Sequence, residues 1–195
     1  MSKDQPSRRQ QILETLAREL ENHPGERITT ASLARALGVS EAALYRHFPS
    51  KARMFEGLIE FLEDTVFSLI NRILADEKDA ALRCEKIMTV LLGFSARNPG
   101  ITRILMGDAL VGETDRLRLR ISQFYDRIET QFKQVLREGE LNGQLAAKTQ
   151  VAAIAGLLVA TAHGTMAHYA RSEFRRSPLE LWEQQWPLLA RGLFA

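Results

Sequence analysis

The chain has 195 residues, of which 45% are hydrophobic and 26% are charged, with 26 lysines and arginines against 24 acidic residues. This composition is typical of a soluble globular protein, and it excludes a disordered chain, a collagen-like fibre and a disulfide-rich scaffold. The single cysteine, Cys84, can form neither an intramolecular disulfide nor a cysteine-based zinc site. We therefore expect a cytoplasmic protein, and the polar first segment, MSKDQPSRRQ, predicts no signal peptide.

Apolar residues recur with helical spacing through almost the whole sequence, and no stretch of useful length alternates with the period of a β-strand. The predicted fold class is all-α. The predicted helices cover about residues 7–22, 30–37, 41–48, 51–75, 80–96, 101–110, 114–140 and 146–171, and a last helix begins at Pro178. Ser177 before this proline, with Glu180 three residues after the serine, has the pattern of a capping box and predicts that start.

The segment from Thr29 to Phe55 carries the clearest functional pattern. Two short predicted helices flank a three-residue turn that begins at Gly38. The small Ala34 lets the two helices cross closely, and Leu44 seals the pair. This is helix-turn-helix geometry, in which the second helix enters the major groove of DNA. An ordinary αα-hairpin with a solvated surface fits the same spacing.

The distribution of charge separates this segment from the rest of the chain. Residues 1–55 contain nine basic and six acidic side chains, whereas residues 56–195 contain 17 basic and 18 acidic ones. A basic segment on a near-neutral body is a weak indication of nucleic-acid binding. We expect a helix-turn-helix DNA-binding domain in residues 1–52 and a helical dimerisation and partner-binding domain in residues 53–195.

The second helix of the motif has side chains suited to DNA. Ala42 and Ala43 are small enough to allow close approach and can contact a thymine methyl group. Arg46 can either read a base or bind a phosphate. The side chains expected to reach phosphates are Tyr45, His47 and Lys51.

The stretch from Thr149 to Ala170 contains no charged residue and is long enough to span a bilayer. Alanine, glycine and threonine dominate it, whereas large aliphatic side chains drive membrane insertion, so we expect a buried interface helix and no membrane association. Small residues recur at every fourth position and form a stripe for close helix packing. This stripe predicts a homodimer, although the central helix of a monomer fits the same pattern. The predicted interface residues are Ala152, Gly156, Ala160, Gly164, Trp182, Trp186, Leu189 and Leu193.

The block GVSEAALYRHFPSK, followed by MF, resembles the signature of the TetR family of transcription regulators over about residues 10–60. The resemblance implies an all-helical homodimer with an N-terminal DNA-binding head and a C-terminal ligand-binding or dimerisation body. Further blocks, among them LIEFLED, ARNPGITRIL and RSEF, are similar to the nucleoid occlusion branch of that family as far as about residue 175. Proteins of this branch bind a palindromic chromosomal site as dimers and antagonise the cell-division protein FtsZ over the nucleoid.

The resemblance also implies site residues. The implied DNA contacts are Thr29, Thr30, Ser40, Ala42, Ala43, Tyr45, Arg46 and Lys51. The implied FtsZ contacts are Phe61, Val90, Gly93, Arg97 and Asn98, together with Leu69, which stands where the family carries a basic residue.

Two functions fit these features, and a third class does not. A DNA-bound antagonist of FtsZ and a ligand-responsive transcriptional repressor both agree with the sequence, and a ligand cavity in the body would favour the repressor. An enzyme is not expected, because the chain has no Gly-rich phosphate loop, paired-carboxylate pattern or HExxH motif. His163 and His168 lie off one helical face, so we expect no metal and no cofactor. The expected partners are double-stranded DNA, FtsZ and a second copy of the chain, at the nucleoid.

Overall fold

The computed structural model of the protein describes residues 6–147 and 150–195. These residues form α-helices and contain no β-strand longer than a single bridge, which confirms the all-α fold class. A short 3₁₀ turn at Asp108–Leu110 follows the sixth helix. The helices are α1 (Arg8–Asn22), α2 (Thr30–Leu37), α3 (Glu41–Tyr45), α4 (Lys51–Asp76), α5 (Ala80–Arg97), α6 (Pro99–Met106), α7 (Asp115–Leu141), α8 (Val151–Arg171) and α9 (Trp182–Leu193).

Helices α1, α2, α4, α5 and α7 agree with the prediction to within one residue at each end. Helix α3 is shorter than predicted, because beyond Tyr45 the chain tightens into a turn in which Leu44 O accepts from the backbone N of both His47 and Phe48. Helix α6 ends earlier than predicted because Gly107 adopts a left-handed conformation with φ 82°.

The predicted start of α8 near Ala146 is wrong. The Ala146 backbone N donates to Leu193 O at 3.1 Å, and Leu145 forms an antiparallel bridge with Phe194. This extended pairing satisfies backbone groups that a helix would otherwise use, so α8 begins only at Val151. Residues 148 and 149 lie outside the described part of the chain.

The predicted start of α9 at Pro178 is also wrong. The Ser177 hydroxyl accepts from Leu179 N and the Ser177 carbonyl accepts from Glu180 N, so the serine organises a local turn. The first helical residue is Trp182. The sequence pattern of a capping box is therefore present without the helix that it predicts.

The chain divides into two compact units. One contains the chain up to Leu62 together with Asn98–Ile121, and the other contains Glu63–Arg97 and Ser122–Ala195. The first unit is larger than the head predicted for residues 1–52, because α6 and the start of α7 belong to it.

Arg103 on α6 shows why this helix joins the head. Its side chain is buried, and its guanidinium donates to Leu20 O at 2.9 Å and to His23 O at 2.7 Å. These carbonyls lie at the C-terminal end of α1, where they have no partner within the helix. Asp108 pairs with the same guanidinium at 2.7 Å. A buried cation therefore caps α1 from α6.

In the second unit, α5 packs against α8 and α9. The buried guanidinium of Arg83 donates to the carbonyls of Leu74 and Glu77 and pairs with Glu138 at 2.5 Å. Helix α8 is long and apolar enough to cross a membrane by length and composition, and 28% of its most apolar window is buried within the chain. Much of its apolar surface is thus left uncovered by its own unit.

Candidate functional site

Local capping builds the helix-turn-helix. Thr29 Oγ1 accepts from Ser32 N at 3.0 Å and Ser32 Oγ accepts from Thr29 N at 3.1 Å, a capping box that starts α2. Gly38 ends α2 in the left-handed conformation, with φ 65°. Ser40 Oγ then accepts from Ala43 N and starts α3. Caps from residues next to the turn therefore fix the limits of both helices.

The recognition helix has the predicted inner and outer faces. Leu44 and Phe48 are buried, and the Arg9 guanidinium lies 4.3 Å from the centre of the Phe48 ring. The small Ala43 is half-buried. The exposed side chains on this segment are Ser40, Glu41, Ala42, Tyr45, Arg46 and His47. Most of the predicted DNA-contacting residues are therefore accessible to solvent.

Glu41, the first residue of α3, was not among the predicted DNA contacts, yet it is bonded to one of them, Thr30, which is in turn bonded to a second, Tyr45. The Thr30 hydroxyl donates to Glu41 Oε2 at 2.5 Å, and the Tyr45 hydroxyl lies 3.4 Å from Thr30 Oγ1, which makes a weaker bond. The sequence feature that could have identified Glu41 is its position, since it is an acidic residue at the start of the recognition helix. Its usual meaning is a favourable interaction with the helix dipole, which obscured its contact with α2.

Lys51 is less accessible than the other predicted phosphate contacts. Its ammonium lies 2.7 Å from Glu113 Oε1, and the Glu113 side chain is only 8% exposed. The Arg27 guanidinium is 4.0 Å from the same oxygen. Glu113 thus faces cations from both ends of the helix-turn-helix segment. A phosphate that binds Lys51 must share its ammonium with this carboxylate.

In the second unit, three of the predicted FtsZ contacts share one face of α5. Val90 is half-buried, Gly93 is buried and Arg97 is exposed. The Arg97 guanidinium lies over Gly93, since a Cβ built on that glycine would be 3.6 Å from a guanidinium nitrogen. Leu69 on α4, which belongs to the same unit, is half-buried. The face therefore presents a cation over a small residue.

In the first unit, Phe61 and Asn98 line one groove of about 360 Å³. Phe61 is 49% exposed although it is aromatic, as its position off the buried stripe of α4 predicts. Asn98 occupies the N-cap position of α6, where its carbonyl accepts from Thr102 N. Apolar side chains supply most of the remaining wall: Leu13, Ala17, Leu58 and Ile101.

The small-residue stripe on α8 faces open space in the single chain. Ala152 and Ala160 are exposed, and Gly156 and Gly164 are half-buried. A Cβ built on either glycine would meet no atom within 4 Å. Thr161, Gly164 and Leu181 line part of a groove of about 330 Å³ beside the stripe.

The two tryptophans of α9 are not on this open surface, which corrects the predicted interface. Trp182 is 3% exposed and Trp186 is 6% exposed, and the Trp182 indole donates to Thr89 Oγ1 at 3.0 Å. They belong to the interior of the second unit, as does the buried Leu193, whereas Leu189 is half-buried. The apolar side chains that α9 and its preceding turn expose are Leu181 and Leu188, which the sequence analysis missed.

Two family models match the chain. The model for bacterial regulatory proteins of the tetR family matches residues 12–58, and the SlmA-like model for a tetracyclin repressor-like C-terminal domain matches residues 78–194. The nucleoid occlusion factor SlmA of Marinomonas sp. (strain MWYL1) is 55% identical over 193 residues, which cover 99% of this chain and 98% of that protein. SlmA of Shewanella amazonensis is 54% identical and covers 98% of each chain.

Solved structures of more distant sequences have the same fold. The ketosteroid transcriptional regulator KstR2 of Mycobacterium tuberculosis superposes with a TM-score of 0.79 at 19% identity, over 98% of this chain and 97% of that one. The MbdR regulator of Azoarcus sp. CIB superposes with a TM-score of 0.80 at 18% identity, over 94% and 97%. At these identities the likeness concerns the fold alone.

Proposed function

The chain belongs to the TetR family of bacterial regulators, in its SlmA-like group, and we propose that it is a nucleoid occlusion factor that antagonises FtsZ when bound to DNA. It is a DNA-binding regulator of TetR fold rather than an enzyme. In the proposed action, a homodimer binds palindromic chromosomal sites and prevents assembly of the FtsZ ring over the nucleoid in the cytoplasm.

One observation carries this proposal: identity of about 55% to proteins named nucleoid occlusion factor SlmA extends over 99% of the chain. The match therefore includes the helical body as well as the helix-turn-helix. A shared DNA-binding head alone would indicate only a regulator, because function depends on sites rather than on fold.

The described geometry supports the DNA-binding half of the proposal. Each subunit offers one recognition helix whose outer face carries Ala42, Tyr45 and Arg46. Helix-turn-helix dimers place two such helices in successive major grooves, so their sites are palindromic. The uncovered stripe of α8, around Gly156 and Gly164, supports a second copy of the chain as the partner of that face.

The partner-binding half is supported by the chemistry of the residues in each unit. Arg97 offers an exposed cation, and FtsZ-type proteins carry an acidic C-terminal tail. Phe61 offers an exposed ring beside an apolar groove. An acidic segment of FtsZ is complementary to the cation of the second unit, and an apolar side chain of FtsZ is complementary to the groove of the first unit.

A genome-wide map of binding sites, made in the organism that carries the protein, tests the proposal. We expect many sites scattered over the chromosome and depleted near the replication terminus. A single site upstream of one neighbouring operon would instead support the ligand-responsive transcriptional repressor, which is the alternative function.

The second test uses purified components. FtsZ polymerised with GTP should be shortened or dispersed by the protein together with a duplex that contains its palindromic site, and less so by the protein with a scrambled duplex. If FtsZ polymers are unaffected in both mixtures, the proposed antagonism is wrong.

A further inference from the structure

Glu41 places a negative charge on the surface that faces DNA. It is exposed at the first position of α3, and it forms no ion pair with a cation in the described part of the chain. A carboxylate at that position repels DNA phosphates, which carry the same sign of charge. The acid therefore weakens binding to any duplex unless a donor on the DNA compensates it.

The free protein satisfies this carboxylate with a hydroxyl group. Thr30 donates its only hydroxyl proton to Glu41 Oε2, at 2.5 Å. Tyr45 in turn directs its hydroxyl proton toward Thr30 Oγ1, at 3.4 Å. Because phosphate oxygens accept hydrogen bonds, neither hydroxyl can donate to a phosphate without leaving this chain of bonds. Binding of Thr30 to a phosphate thus removes the internal donor from Glu41, whereas Tyr45 can turn to a phosphate and leave the Thr30–Glu41 bond intact.

We propose that Glu41 is a specificity-determining residue, which accepts a hydrogen bond from the exocyclic amino group of a base in the major groove. Cytosine N4 is the donor that carboxylates commonly read there, and adenine N6 offers the same chemistry. At the correct site the amino group replaces the Thr30 hydroxyl. At other sites the carboxylate stays unpaired beside the phosphates, so non-specific binding is selectively weakened. This inference rests on the proposed binding of palindromic DNA.

The probes are two duplexes defined by the wild-type protein itself. The first is the palindromic duplex enriched from a random library by the wild-type protein, and the second is a scrambled duplex of the same base composition. A wild-type protein without preference for the first duplex would contradict the proposed sequence-specific binding itself. Variants of Glu41 then test the role of this residue separately. The measured quantity is the ratio of the dissociation constants for the selected and the scrambled duplex.

Glu41→Gln removes the charge and keeps the size of the side chain. We expect its affinity for the scrambled duplex to rise about tenfold while its affinity for the selected duplex changes less than about threefold, because the loss of repulsion is offset by a weaker base contact, in which a neutral amide oxygen replaces the carboxylate. Glu41→Asp keeps the charge but shortens the reach. Its affinity for the selected duplex should fall about tenfold, while its affinity for the scrambled duplex stays within about twofold of wild type.

The matched control is Glu60→Gln, which removes an exposed carboxylate from α4 in the same unit. It should raise both affinities by the same small factor. The proposal is overturned if Glu41→Gln also raises both affinities equally, or if Glu41→Asp leaves the ratio unchanged.

A repeated library selection gives an independent readout. With the wild-type protein, one position of each half-site should require cytosine or adenine, and with Glu41→Ala, which has no side-chain acceptor, that position should lose its preference while the others keep theirs. A logo that is identical for both proteins would exclude a base contact by Glu41. Thermal unfolding of each variant confirms that changes in affinity do not come from loss of the fold.

Discussion

The Cα of Gly100 on α6 lies directly against the backbone of Ala17 on α1. A Cβ built on Gly100 would overlap the Ala17 carbonyl oxygen and would come within 3.2 Å of Leu20 Cβ. Backbone atoms in the middle of a helix cannot move aside as a flexible side chain can. The glycine is therefore required by close packing between two helices, and not by a turn.

We expect Gly100→Ala to lower the free energy of unfolding by about 1–3 kcal/mol, which is the usual cost of overpacking. Gly192→Ala is the matched control, since a Cβ there meets no atom within 4 Å, and it should be neutral or slightly stabilising in its helix. Urea unfolding followed by circular dichroism measures both. Equal stability of the two variants would contradict the packing of α6 on α1.

Thr29 combines a structural role with a predicted contact to DNA. Thr29→Ala removes the cap of α2 and should cost about 1 kcal/mol of stability, whereas Thr29→Ser keeps the hydroxyl and should restore it. Thr29→Ala should also lower the affinities for the selected and the scrambled duplex by the same factor, because phosphate contacts carry no sequence information. Fluorescence anisotropy with both duplexes measures this. A changed sequence preference would show that Thr29 contacts a base.

The stripe of α8 allows a clean test of the homodimer. Gly156→Leu and Gly164→Leu together should block close approach of a second subunit, while the isolated chain has room for both side chains. We expect the double variant to sediment as a folded monomer at micromolar concentration. Leu141→Glu, a change at an exposed position of α7, is the control and should remain a dimer. A dimeric double variant would exclude this face as the interface.

Arg97 should separate DNA binding from binding to FtsZ. Arg97→Glu places a negative charge against an acidic tail. The affinity for a peptide of the FtsZ C-terminus should therefore fall about tenfold or more. Affinity for the selected duplex should stay within about twofold, because the recognition helix does not use this residue. Stability should change by less than about 0.5 kcal/mol. Arg137→Glu, also exposed in the second unit, is the charge-matched control. Undiminished binding of the peptide by Arg97→Glu would remove this residue from the site.

An ion pair near the start of α5 predicts a dependence of stability on pH. Hydrogen bonds from the Lys86 ammonium and from the backbone N–H groups of Lys78 and Asp79 lower the pKa of the Glu77 carboxyl from 4.5 to about 2. A lowered pKa in the folded state contributes stability above the unfolded pKa, and this stability is lost as the pH falls from about 4.5 toward 2. Lys86→Met, which removes one of these hydrogen bonds, should therefore be less stable than wild type at pH 7, and the difference should shrink as the pH falls from about 4.5 and vanish below about 2. Urea unfolding over this range measures it, and a difference that is independent of pH would contradict it.

Features that depend on neighbours within about one helical turn can be predicted from the sequence alone. Helical periodicity depends on residues three and four positions apart, and the caps at Thr29, Gly38 and Ser40 use backbone groups only a few residues away. The buried faces of α2 and α3 follow from the same spacing. For this reason the fold class, most helix limits and the two faces of the recognition helix were predicted correctly.

Which helix faces meet depends on contacts between residues that are distant in the sequence. Lys51 pairs with Glu113, 62 residues away, and Arg103 caps a helix more than 75 residues earlier in the chain, so neither partner could be identified from local spacing. Trp182 and Trp186 resembled interface residues because an apolar stripe is the same whether its own chain or a second subunit covers it. Only packing shows that they are already buried, and that Gly156 and Gly164 are still open.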